Sequence, residues 1–412
     1  MRRILLILLL TIVPFGAYSR DSEITFWHSL GFHVKEIVDE LAFEYSESHP
    51  GVRVTPVFQG LYEELQVKML AAAVTRDLPD LAQVQLEYMS TYIENGLIEP
   101  INSSIPAADR EDILDLFWEL VTKGGNIYAV PFCISTTVFF YNEDAFRRAG
   151  VGGGPSTWEE MIGIGKRLTT DTNGDGTPDN YAVMFWMDGF YGIAPFLWAN
   201  GGEFFSSDGL RIMLTSQEMV QTVTMLRDLA FTHRIMPRNW TDWESGQAFL
   251  SGNLAMGPFT SAAISYGEQN LPWTLRIIPM PAINGRRASV LGGSALVNFA
   301  RKKKRRSEVD DFLYWLVSKE NTIRLHERIG YVPVRRSALN SLSLRAFDRK
   351  NPNFKVAIDT LDFARPLPGH PEFLKINERL RDMLQEVFLS AADPAEALAK
   401  AEEEINRMIG EP

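Results

Sequence analysis

The stretch YAVPFCISTTVFFYN, residues 128–142, decides how this chain is arranged. It holds two runs rich in β-branched and aromatic residues, and no helical segment separates them. Such residues favour strands, whereas consecutive strands of a parallel sheet are normally joined through a helix. We therefore interpret the stretch as strand structure that crosses from one half of the protein to the other.

The part of the chain before this stretch alternates short apolar runs with amphipathic segments. In residues 33–49, for example, the apolar side chains recur at helical spacing. The alternation predicts strands at 23–28, 51–58 and 79–84 and helices at 33–49 and 61–74. Strand, helix and strand in this rhythm are typical of a parallel α/β layout.

A second α/β unit follows residue 142. Its first predicted helix, 156–168, has Ser156 or Thr157 as the N-cap and Glu159 and Glu160 in the first turn. Further helices are predicted at 216–231, 242–252 and 307–330 and nearly throughout the chain after residue 371, with strands at 254–259, 275–281 and 292–299. The predicted fold class is therefore α/β, and the length of 412 residues favours two domains.

The first 19 residues, MRRILLILLLTIVPFGAYS, have the features of a secretory signal. Arg2 and Arg3 precede an apolar run, and Ala17 and Ser19 are the small residues that a signal peptidase requires. The run is too short for a membrane span, which needs roughly 20 apolar residues. We expect a protein that is exported to the periplasm and cleaved near Ser19.

The net charge and the cysteine content limit which partners and which stabilising bonds this protein can have. The formal net charge is −11, and loss of the two signal arginines makes it more negative, which argues against nucleic acid or an anionic membrane as a partner. The single cysteine, Cys133, has no partner for an intrachain disulfide and is interpreted as a buried small hydrophobe. The core must therefore hold the chain together, most naturally as two domains. We also expect the protein to be a monomer.

The usual catalytic patterns do not occur in the sequence. There is no G-x-S-x-G nucleophile turn and no phosphate loop of the NTPase type. The six histidines are scattered and lack the spacing of a zinc site. An exported acidic chain of this kind is expected to be a binding protein that is not an enzyme. An exported glycosidase or phosphodiesterase that uses cleft carboxylates is the alternative, and it would turn its substrate over.

One acidic loop, TTDTNGDGTPDNYAV at residues 169–183, has the composition of a metal-binding loop. Its oxygen donors are Asp171, Asn173, Asp175 and Asp179. An EF-hand loop that begins at Asp171 would need a bidentate glutamate at its twelfth position, where Ala182 stands. A structural calcium ion and a turn whose side chains bond their own backbone are the two remaining interpretations.

A set of motifs in fixed order resembles the family 1 extracellular solute-binding proteins, which deliver nutrients to ABC importers. The motifs are ITFWHS (24–29), YAVPF and FFYNEDAFRRAGV (within 128–151), TWEEM (157–161), FLSGNLAMGPF (249–259), LGGSALVNF (291–299) and IGYVPVRRSAL (329–339). The resemblance covers nearly the whole chain after residue 19 and is greatest to the members that bind glycerol-3-phosphate. It implies a two-lobed fold of the periplasmic-binding-protein type II kind, with a ligand cleft between the lobes.

The resemblance also implies which residues contact the ligand. They are Tyr62, Glu87, Ser135, Thr260 or Ser261, Gly293, Tyr331 and Arg365. Glycine can bring backbone N–H groups close to an oxyanion, the hydroxyls are neutral donors, and an arginine offers a bidentate charged contact. Glu87 is an acceptor that suits glycerol hydroxyls and repels phosphate, so we expect it at the opposite end of the ligand. Trp27 and Trp186 are candidates for stacking on the ligand.

The implied organisation is a pair of lobes joined by a hinge with several chain crossovers. Residues 20–131 with 288–332 form the predicted N-terminal lobe, and residues 132–287 with 333–412 form the C-terminal lobe. The expected ligand is glycerol-3-phosphate or a glycerophosphodiester, and a mono- or oligosaccharide is the alternative. The ligand-bound, closed form is expected to dock on a membrane permease. No cofactor is expected apart from the calcium ion considered for the acidic loop.

Overall fold

The computed structural model of the chain describes residues 22–410. The predicted signal segment, residues 1–19, lies outside the described residues. The strands are β1 Ser22–His28, β2 Val52–Phe58, β3 Leu81–Gln85, β4 Thr122–Lys123, β5 Asn126–Ile127, β6 Val130–Asn142, β7 Tyr181–Val183, β8 Leu254–Thr260, β9 Leu275–Ile278, β10 Ser289–Asn298 and β11 Ala364–Pro366.

Helices surround these strands. They are α1 Phe32–Ser48, α2 Tyr62–Thr75, α3 Met89–Glu94, α4 Ala107–Asp112, α5 Asp115–Glu119, α6 Glu143–Arg148, α7 Trp158–Leu168, α8 Gly189–Asn200, α9 Gln217–Phe231, α10 Asp242–Ser251, α11 Ile264–Asn270, α12 Lys303–Leu316, α13 Lys319–Arg328, α14 Arg336–Leu339, α15 Leu342–Lys350, α16 Pro352–Asp359, α17 Phe373–Leu389 and α18 Pro394–Gly410. Short 3₁₀ turns lie at Leu86–Tyr88, Ser261–Ala263 and Thr360–Phe363. The predicted α/β class is confirmed.

The long strands form a single mixed sheet in the order β2-β1-β3-β10-β6-β8-β7, with β11 paired to β10 and β9 paired to β6. The pairs of β1 with β2 and β3 are parallel, as the alternation of strand and helix predicts. The two central strands, β6 and β10, pair antiparallel. The N-terminal α/β unit and the later strands β7, β8 and β9 therefore lie on opposite sides of this central pair.

Strand β6 crosses between the two groups of strands. Its first half, from Val130 to Thr136, pairs with β10, and its second half, from Thr137 to Asn142, pairs with β8 and β9. Every residue of β6 is buried. The stretch predicted as crossing strand structure is thus one continuous strand of 13 residues, and the two β-rich runs are its two halves.

The central pair carries a bulge where β10 passes closest to β6. The register shifts between Gly292 and Ser294, and Gly293 has a φ of +127°, which side-chain-bearing residues rarely adopt. A Cβ added at Gly293 would lie 2.3 Å from the carbonyl oxygen of Cys133. Cys133 is buried and itself has a φ of +52°. Both strands therefore depart from ordinary strand geometry at the same point.

A third segment crosses beside this bulge. The backbone N–H of Val332 donates to the carbonyl oxygen of Ile134 at 2.7 Å. The preceding Gly330 has a φ of +115°, and a Cβ there would lie 2.2 Å from the carbonyl oxygen of Ser261. Three separate parts of the chain, near residues 134, 293 and 331, are consequently packed against one another.

Local sequence signals explain where several of the helices begin. Thr157, one of the two predicted N-caps, accepts a hydrogen bond from the backbone N–H of Glu160 at 3.2 Å. Ser216, Thr241, Ser318 and Ser341 cap their helices in the same way. Within residues 22–410, no helix combines the length and the apolar character needed to span a membrane.

We predict that Gly293→Ala destabilises the protein by about 2–4 kcal/mol, because alanine at this φ is strained and its Cβ collides with the backbone of β6. Urea unfolding should show a lower midpoint with an unchanged slope. Gly163→Ala is the control. A Cβ at Gly163, in α7, meets no atom within 4 Å, so that variant should be more stable by up to about 1 kcal/mol. Equal stability of Gly293→Ala and the wild type would contradict the proposed close approach.

Candidate functional site

A cavity of about 360 Å³ lies where the three crossing segments meet. We call it the inner chamber. Its lining comes from both groups of strands and from α8: Tyr62, Gln85, Glu87, Ser135, Trp186, Asp188, Tyr191, Phe259, Thr260, Ala262, Gly292, Gly293 and Tyr331. A pocket at this position fits the rule that α/β proteins bind ligands at the carboxyl ends of strands where the strand order changes.

The crossing segments supply the floor of the inner chamber. Ser135 lies opposite Gly292 in the β6–β10 ladder, and Tyr331 directly precedes the residue that bonds to Ile134. Residues that are far apart in the sequence therefore meet because the chain crosses three times at one place. A bulge leaves its extra residue outside the regular ladder, and Gly293 lies at this bulge and in the lining of the chamber.

Glu87 is the acidic residue at the end of β3. It sits in the 3₁₀ turn Leu86–Tyr88 directly after that strand and is 4% exposed. Its Oε2 atom has no hydrogen-bond partner in the described structure. Burial raises the pKa of Glu87 to about 7, and the nearby Asp188 carboxylate acts in the same direction. A buried carboxylate oxygen without a hydrogen-bond partner is costly, which is a reason to expect a ligand group beside Oε2.

Tyr62 reaches the chamber from the start of α2. Its hydroxyl accepts a hydrogen bond from Gln83 Nε2 at 3.2 Å. Gln83 also donates to Ser294 Oγ at 2.8 Å and accepts from the backbone N–H of Ser29 at 3.0 Å. The fully buried Gln83 therefore fixes the position of Tyr62 relative to β3, β10 and the residue that follows β1.

Aromatic rings form the opposite wall. Trp186 packs edge-on against Phe259 at 5.3 Å between ring centroids, and its Nε1 donates to the carbonyl oxygen of Pro258 at 2.7 Å. Tyr191 projects from the first turn of α8, and burial raises the pKa of its hydroxyl. The wall is rigid because Phe259 also stacks on Phe140 at 4.9 Å.

A second cavity of about 420 Å³ adjoins the first and shares Tyr62, Gln85, Asp188 and Tyr191 with it. We call it the outer chamber. Arg381 of α17 lies in its wall and pairs with Glu63 and with Asp188, each at 3.0 Å. Glu63 belongs to α2, in the N-terminal α/β unit, and Asp188 immediately precedes α8. Arg381 therefore links elements on the two sides of the cleft.

Arg365 does not lie at either chamber, in contrast to the sequence-based expectation. It stands on β11, opposite Val290 of β10. Its exposed guanidinium pairs with Glu203 at 2.9 Å and lies over the ring of Trp198 at 4.7 Å. The short strand directs this side chain to the outer surface, so the basic group nearest the cleft in the described chain is Arg381.

Two further predicted contacts lie elsewhere. Ser261 is fully buried and accepts a hydrogen bond from the backbone N–H of Thr136 at 3.2 Å, so of the pair Thr260 and Ser261 only Thr260 lines the chamber. Trp27 packs against the hydrophobic core from β1 and is not part of the chamber lining. Alternate side chains of a strand point to opposite faces, and sequence position alone does not tell which face meets the cleft.

The inner chamber brings together Tyr62, Glu87, Ser135, Thr260, Gly293, Tyr331 and Trp186 from the predicted set. That these residues bind a ligand stays a prediction. The sequence analysis missed Gln85, Asp188, Tyr191 and Phe259. Asp188 and Phe259 lie within two residues of predicted positions, whereas Tyr191 lies in a uniformly apolar segment and carries no signal of its own.

The acidic loop lies apart from both chambers, and its side chains bond its own backbone. Asp171 accepts from the N–H groups of Gly174 and Gly176 at 2.7 and 2.8 Å. Asp179 accepts from the N–H of Thr172 at 2.6 Å, and Asn173 and Asp175 cap the residues that follow them. Among residues 22–410, no cluster of three or more acidic, histidine or cysteine side chains is arranged to hold a metal ion. The calcium ion stays a prediction.

Residues 40–353 match the family described as "Bacterial extracellular solute-binding protein". The chain is also 25% identical, over 94% of its length and 92% of the relative's, to the sn-glycerol-3-phosphate-binding periplasmic protein UgpB of Escherichia coli O1:K1. It is 24% identical, over the same shares, to UgpB of Shigella dysenteriae.

Solved structures share the fold. UgpB from Mycobacterium tuberculosis in complex with glycerophosphocholine has a TM-score of 0.83 at 22% identity, over 94% of this chain and 98% of that one. The ABC substrate-binding protein Lmo0181 from Listeria monocytogenes, in complex with cycloalternan, has a TM-score of 0.84 at 18% identity, over 95% and 100%. The predicted two-lobed binding-protein fold is confirmed by these similarities.

We predict that Glu87→Gln stabilises the ligand-free protein at pH 8 by about 1–3 kcal/mol. The folded-state pKa of Glu87 is raised above the ordinary value of 4.5 to about 7. The wild type therefore loses stability as the pH rises from about 4.5 through 7, and glutamine removes this loss. Urea unfolding at pH 5 and pH 8 should show a difference between variant and wild type that grows with pH.

Glu47→Gln, at an exposed position near the end of α1, is the control for this prediction. It should change the free energy of unfolding by less than about 0.5 kcal/mol at either pH. A Glu87→Gln variant that is less stable than the wild type at pH 8 would show that the carboxylate is a structural group.

Proposed function

The chain belongs to the bacterial extracellular solute-binding protein family, and we propose that, as the solute-binding component of an ABC importer, it captures glycerophosphodiesters or sn-glycerol-3-phosphate. The observation that carries this proposal is the convergence of six predicted ligand positions on one chamber: Tyr62, Glu87, Ser135, Thr260, Gly293 and Tyr331. Relatives that are similar along 94% of the chain are named for the binding of glycerol-3-phosphate.

The chemistry of the inner chamber suits a polyol. The open oxygen of Glu87 accepts a hydrogen bond from a ligand hydroxyl, and Tyr62, Ser135 and Tyr331 are neutral partners. Aromatic rings such as Trp186 cover the carbon atoms of the ligand. Hydroxyl groups that satisfy buried acceptors contribute strongly to specificity, because an analogue that lacks them leaves those acceptors unpaired.

The phosphate of such a ligand belongs at the opposite end, toward Arg381. Carboxylates line the inner chamber, and like charges disfavour an anion beside them. A guanidinium can hold a phosphate through two parallel hydrogen bonds. A phosphodiester carries one negative charge, whereas a monoester near neutral pH carries nearly two, so we favour the diester as the better ligand.

A mono- or oligosaccharide is the second candidate. It is favoured by the lining of the inner chamber, in which aromatic rings and carboxylates are present and no basic side chain of the described chain takes part. Among the solved structures of this fold, the GacH receptor of Streptomyces glaucescens is in complex with acarbose, with a TM-score of 0.82. Sugar hydroxyls and sugar faces match such a surface as well as glycerol does.

The proposed mechanism is capture by closure. Elements from both sides of the central strand pair line the two chambers, so a bound solute contacts both and favours the closed arrangement. The closed, exported monomer then docks on the membrane permease, which receives the solute. The family and the similar proteins named above are binding proteins, and we propose that the solute leaves unchanged.

We predict that a glycerophosphodiester stabilises the purified chain, without residues 1–19, in a thermal-shift screen. At 100 times its Kd a ligand adds roughly 2.7 kcal/mol to the free energy of unfolding. The screen should compare glycerol-3-phosphate, glycerophosphodiesters, glycerol, maltose and maltotriose. A shift with sugars alone would overturn the glycerol phosphate assignment, and release of free alcohol from the diester during incubation would show that the protein is an enzyme.

We predict that Arg381→Ala weakens the binding of glycerol phosphate esters at least tenfold, which corresponds to about 1.4 kcal/mol. Arg365→Ala is the matched control, since that arginine is already held by Glu203 and Trp198 outside the chambers. It should change the Kd by less than about threefold. Calorimetric titration measures both, and a loss of affinity in Arg365→Ala alone would place the phosphate on the surface of β11.

A further inference from the structure

A buried histidine and a buried aspartate form a pair beside the inner chamber. His326 of α13 is fully buried, and Asp348 of α15 is 7% exposed. The imidazole Nε2 lies 3.0 Å from Asp348 Oδ1, and Nδ1 lies 2.9 Å from the backbone carbonyl oxygen of Tyr331. Tyr331 is part of the inner chamber's lining. The pair therefore contacts the backbone of a chamber residue, although neither of its members belongs to the described lining of either chamber.

The hydrogen bonds of His326 have a defined direction. A carbonyl oxygen only accepts hydrogen bonds, so Nδ1 carries the proton that is donated to Tyr331. The other ring nitrogen, Nε2, shares a single proton with the Asp348 carboxyl group. The ring also makes edge-to-face contacts with Phe347 and Phe354, at 5.9 and 5.7 Å between centroids. The partner of one ring nitrogen sets the proton on the other, so Asp348 selects the form of the imidazole that can donate to Tyr331.

The peptide group that joins Tyr331 to Val332 is bonded on both sides. Its carbonyl oxygen accepts from His326, and its N–H donates to the carbonyl oxygen of Ile134 at 2.7 Å. The preceding residue, Gly330, has a φ of +115°. Because a peptide group is planar and rigid, bonds at both of its sides fix the direction in which the chain passes Tyr331. The point at which the tyrosine ring enters the chamber depends on these bonds.

The pair also joins elements from the two sides of the central strand pair. Helix α13, which carries His326, is linked to α1 of the N-terminal unit by the ion pair of Arg324 with Glu44 at 2.6 Å. Asp348 lies on α15, and the next helix, α16, is linked to β9 because Asn353 forms two hydrogen bonds of 3.1 Å with the backbone of that strand. The two sides of the cleft meet at this pair, which therefore places Tyr331 relative to both of them.

We propose that His326 and Asp348 are positioning residues for ligand binding, which hold the backbone of Tyr331 so that its phenol group meets the solute in the inner chamber. This inference rests on the proposed function and deepens it, because it adds a supporting pair to the binding site. A hydroxyl is a useful partner only within about 3 Å of the ligand atom. Binding groups must accordingly be held to within about 0.5 Å of the productive geometry by the bonds that support them.

The test uses a variant that removes both partners at once. His326→Phe/Asp348→Leu exchanges the pair for apolar side chains, and such exchanges are often close to neutral for stability. Only the carbonyl oxygen of Tyr331 then lacks its hydrogen bond from the pair. In calorimetric titration with glycerophosphoglycerol and with maltotriose, the double variant should bind whichever probe the wild type binds at least tenfold more weakly.

Two matched variants separate the hydrogen bond from the charge and from the location. Asp348→Asn keeps a hydrogen bond, because the amide Nδ2 can donate to Nε2 of a neutral imidazole, and it should bind the probe within threefold of the wild type. His49→Phe removes another histidine, whose Nδ1 lies 2.8 Å from the carbonyl oxygen of Tyr45. His49 follows α1 and is outside both chamber linings, so this variant should keep the wild-type affinity.

A positioning role acts through Tyr331, whereas a general structural role does not. In a Tyr331→Phe background, the double variant should therefore weaken binding by less than a further threefold, although any change in the urea midpoint should persist. The tyrosine can also be observed without a ligand by ¹⁹F NMR of protein labelled with 3-fluorotyrosine. The Tyr331 resonance, assigned by its loss in Tyr331→Phe, should shift or split in the double variant and stay unchanged in His49→Phe.

The outcomes separate the two proposals. The positioning role would be overturned by wild-type affinity in the double variant, by a full loss of affinity in the Tyr331→Phe background, by Asp348→Asn binding as weakly as the double variant, or by an unchanged Tyr331 resonance. Each of these results leaves the proposed ligand in place. If the wild type binds neither probe, the proposed ligand is wrong, and the fluorine spectra still decide whether the pair holds Tyr331.

Discussion

The contact between Gly293 of β10 and Cys133 of β6 is the constraint on which the architecture depends. The two strands carry the sheet from one group of strands to the other, and at this point their backbones are closer than any side chain permits. Both residues have positive φ angles, so the sheet has a defined break in its regular geometry between the two halves. Strain of this kind persists only where surrounding packing imposes it, and here every residue of β6 is buried. The chamber lies beside this break, and both the bulge and the third crossing at Tyr331 contribute to its lining.

The polar groups of the cleft differ in how firmly the protein holds them. Tyr62 is fixed through Gln83, which bonds to three neighbours, and Trp186 is fixed through Pro258. Glu87, by contrast, has an oxygen that the protein leaves unbonded. A selective binding site benefits from preorganised walls around one oxygen that lacks a partner. Such walls lose little entropy on binding, and the oxygen gains a hydrogen bond only from a ligand with a matching donor. Burial of this carboxylate also raises the pKa of Glu87 in the ligand-free protein.

The fold was largely predictable from the sequence because its signals are local. Helical periodicity, runs of β-branched residues and N-caps such as Thr157 can each be recognised within a short window of sequence. The two adjacent β-rich runs likewise indicated the crossing strand. Helix α8 was missed because residues 189–200 are apolar and almost wholly buried, so they have no periodicity, and Pro195 lies inside the helix.

The site was predictable where a position follows from a strand end, as for Glu87. It was not predictable where it depends on which face of a strand meets the cleft, as for Trp27, or on a contact between distant segments, as for Arg381.

The difference between Arg365 and Arg381 shows why a basic residue near a cleft must be judged by its partners. Arg365 lies on β11, which pairs with the strand that carries Gly293. Its guanidinium, however, is already paired with Glu203 and lies over the ring of Trp198. Arg381 lies farther along the chain on a helix, but it contacts carboxylates from both sides of the cleft. A ligand phosphate could replace Glu63 or Asp188 as the partner of Arg381. The charge of Arg381 would stay neutralised, but one of its two links between the sides of the cleft would be lost. Arg381 is therefore suited to bind the anionic part of a solute, and binding there would also change the ion pairs between the two sides of the cleft.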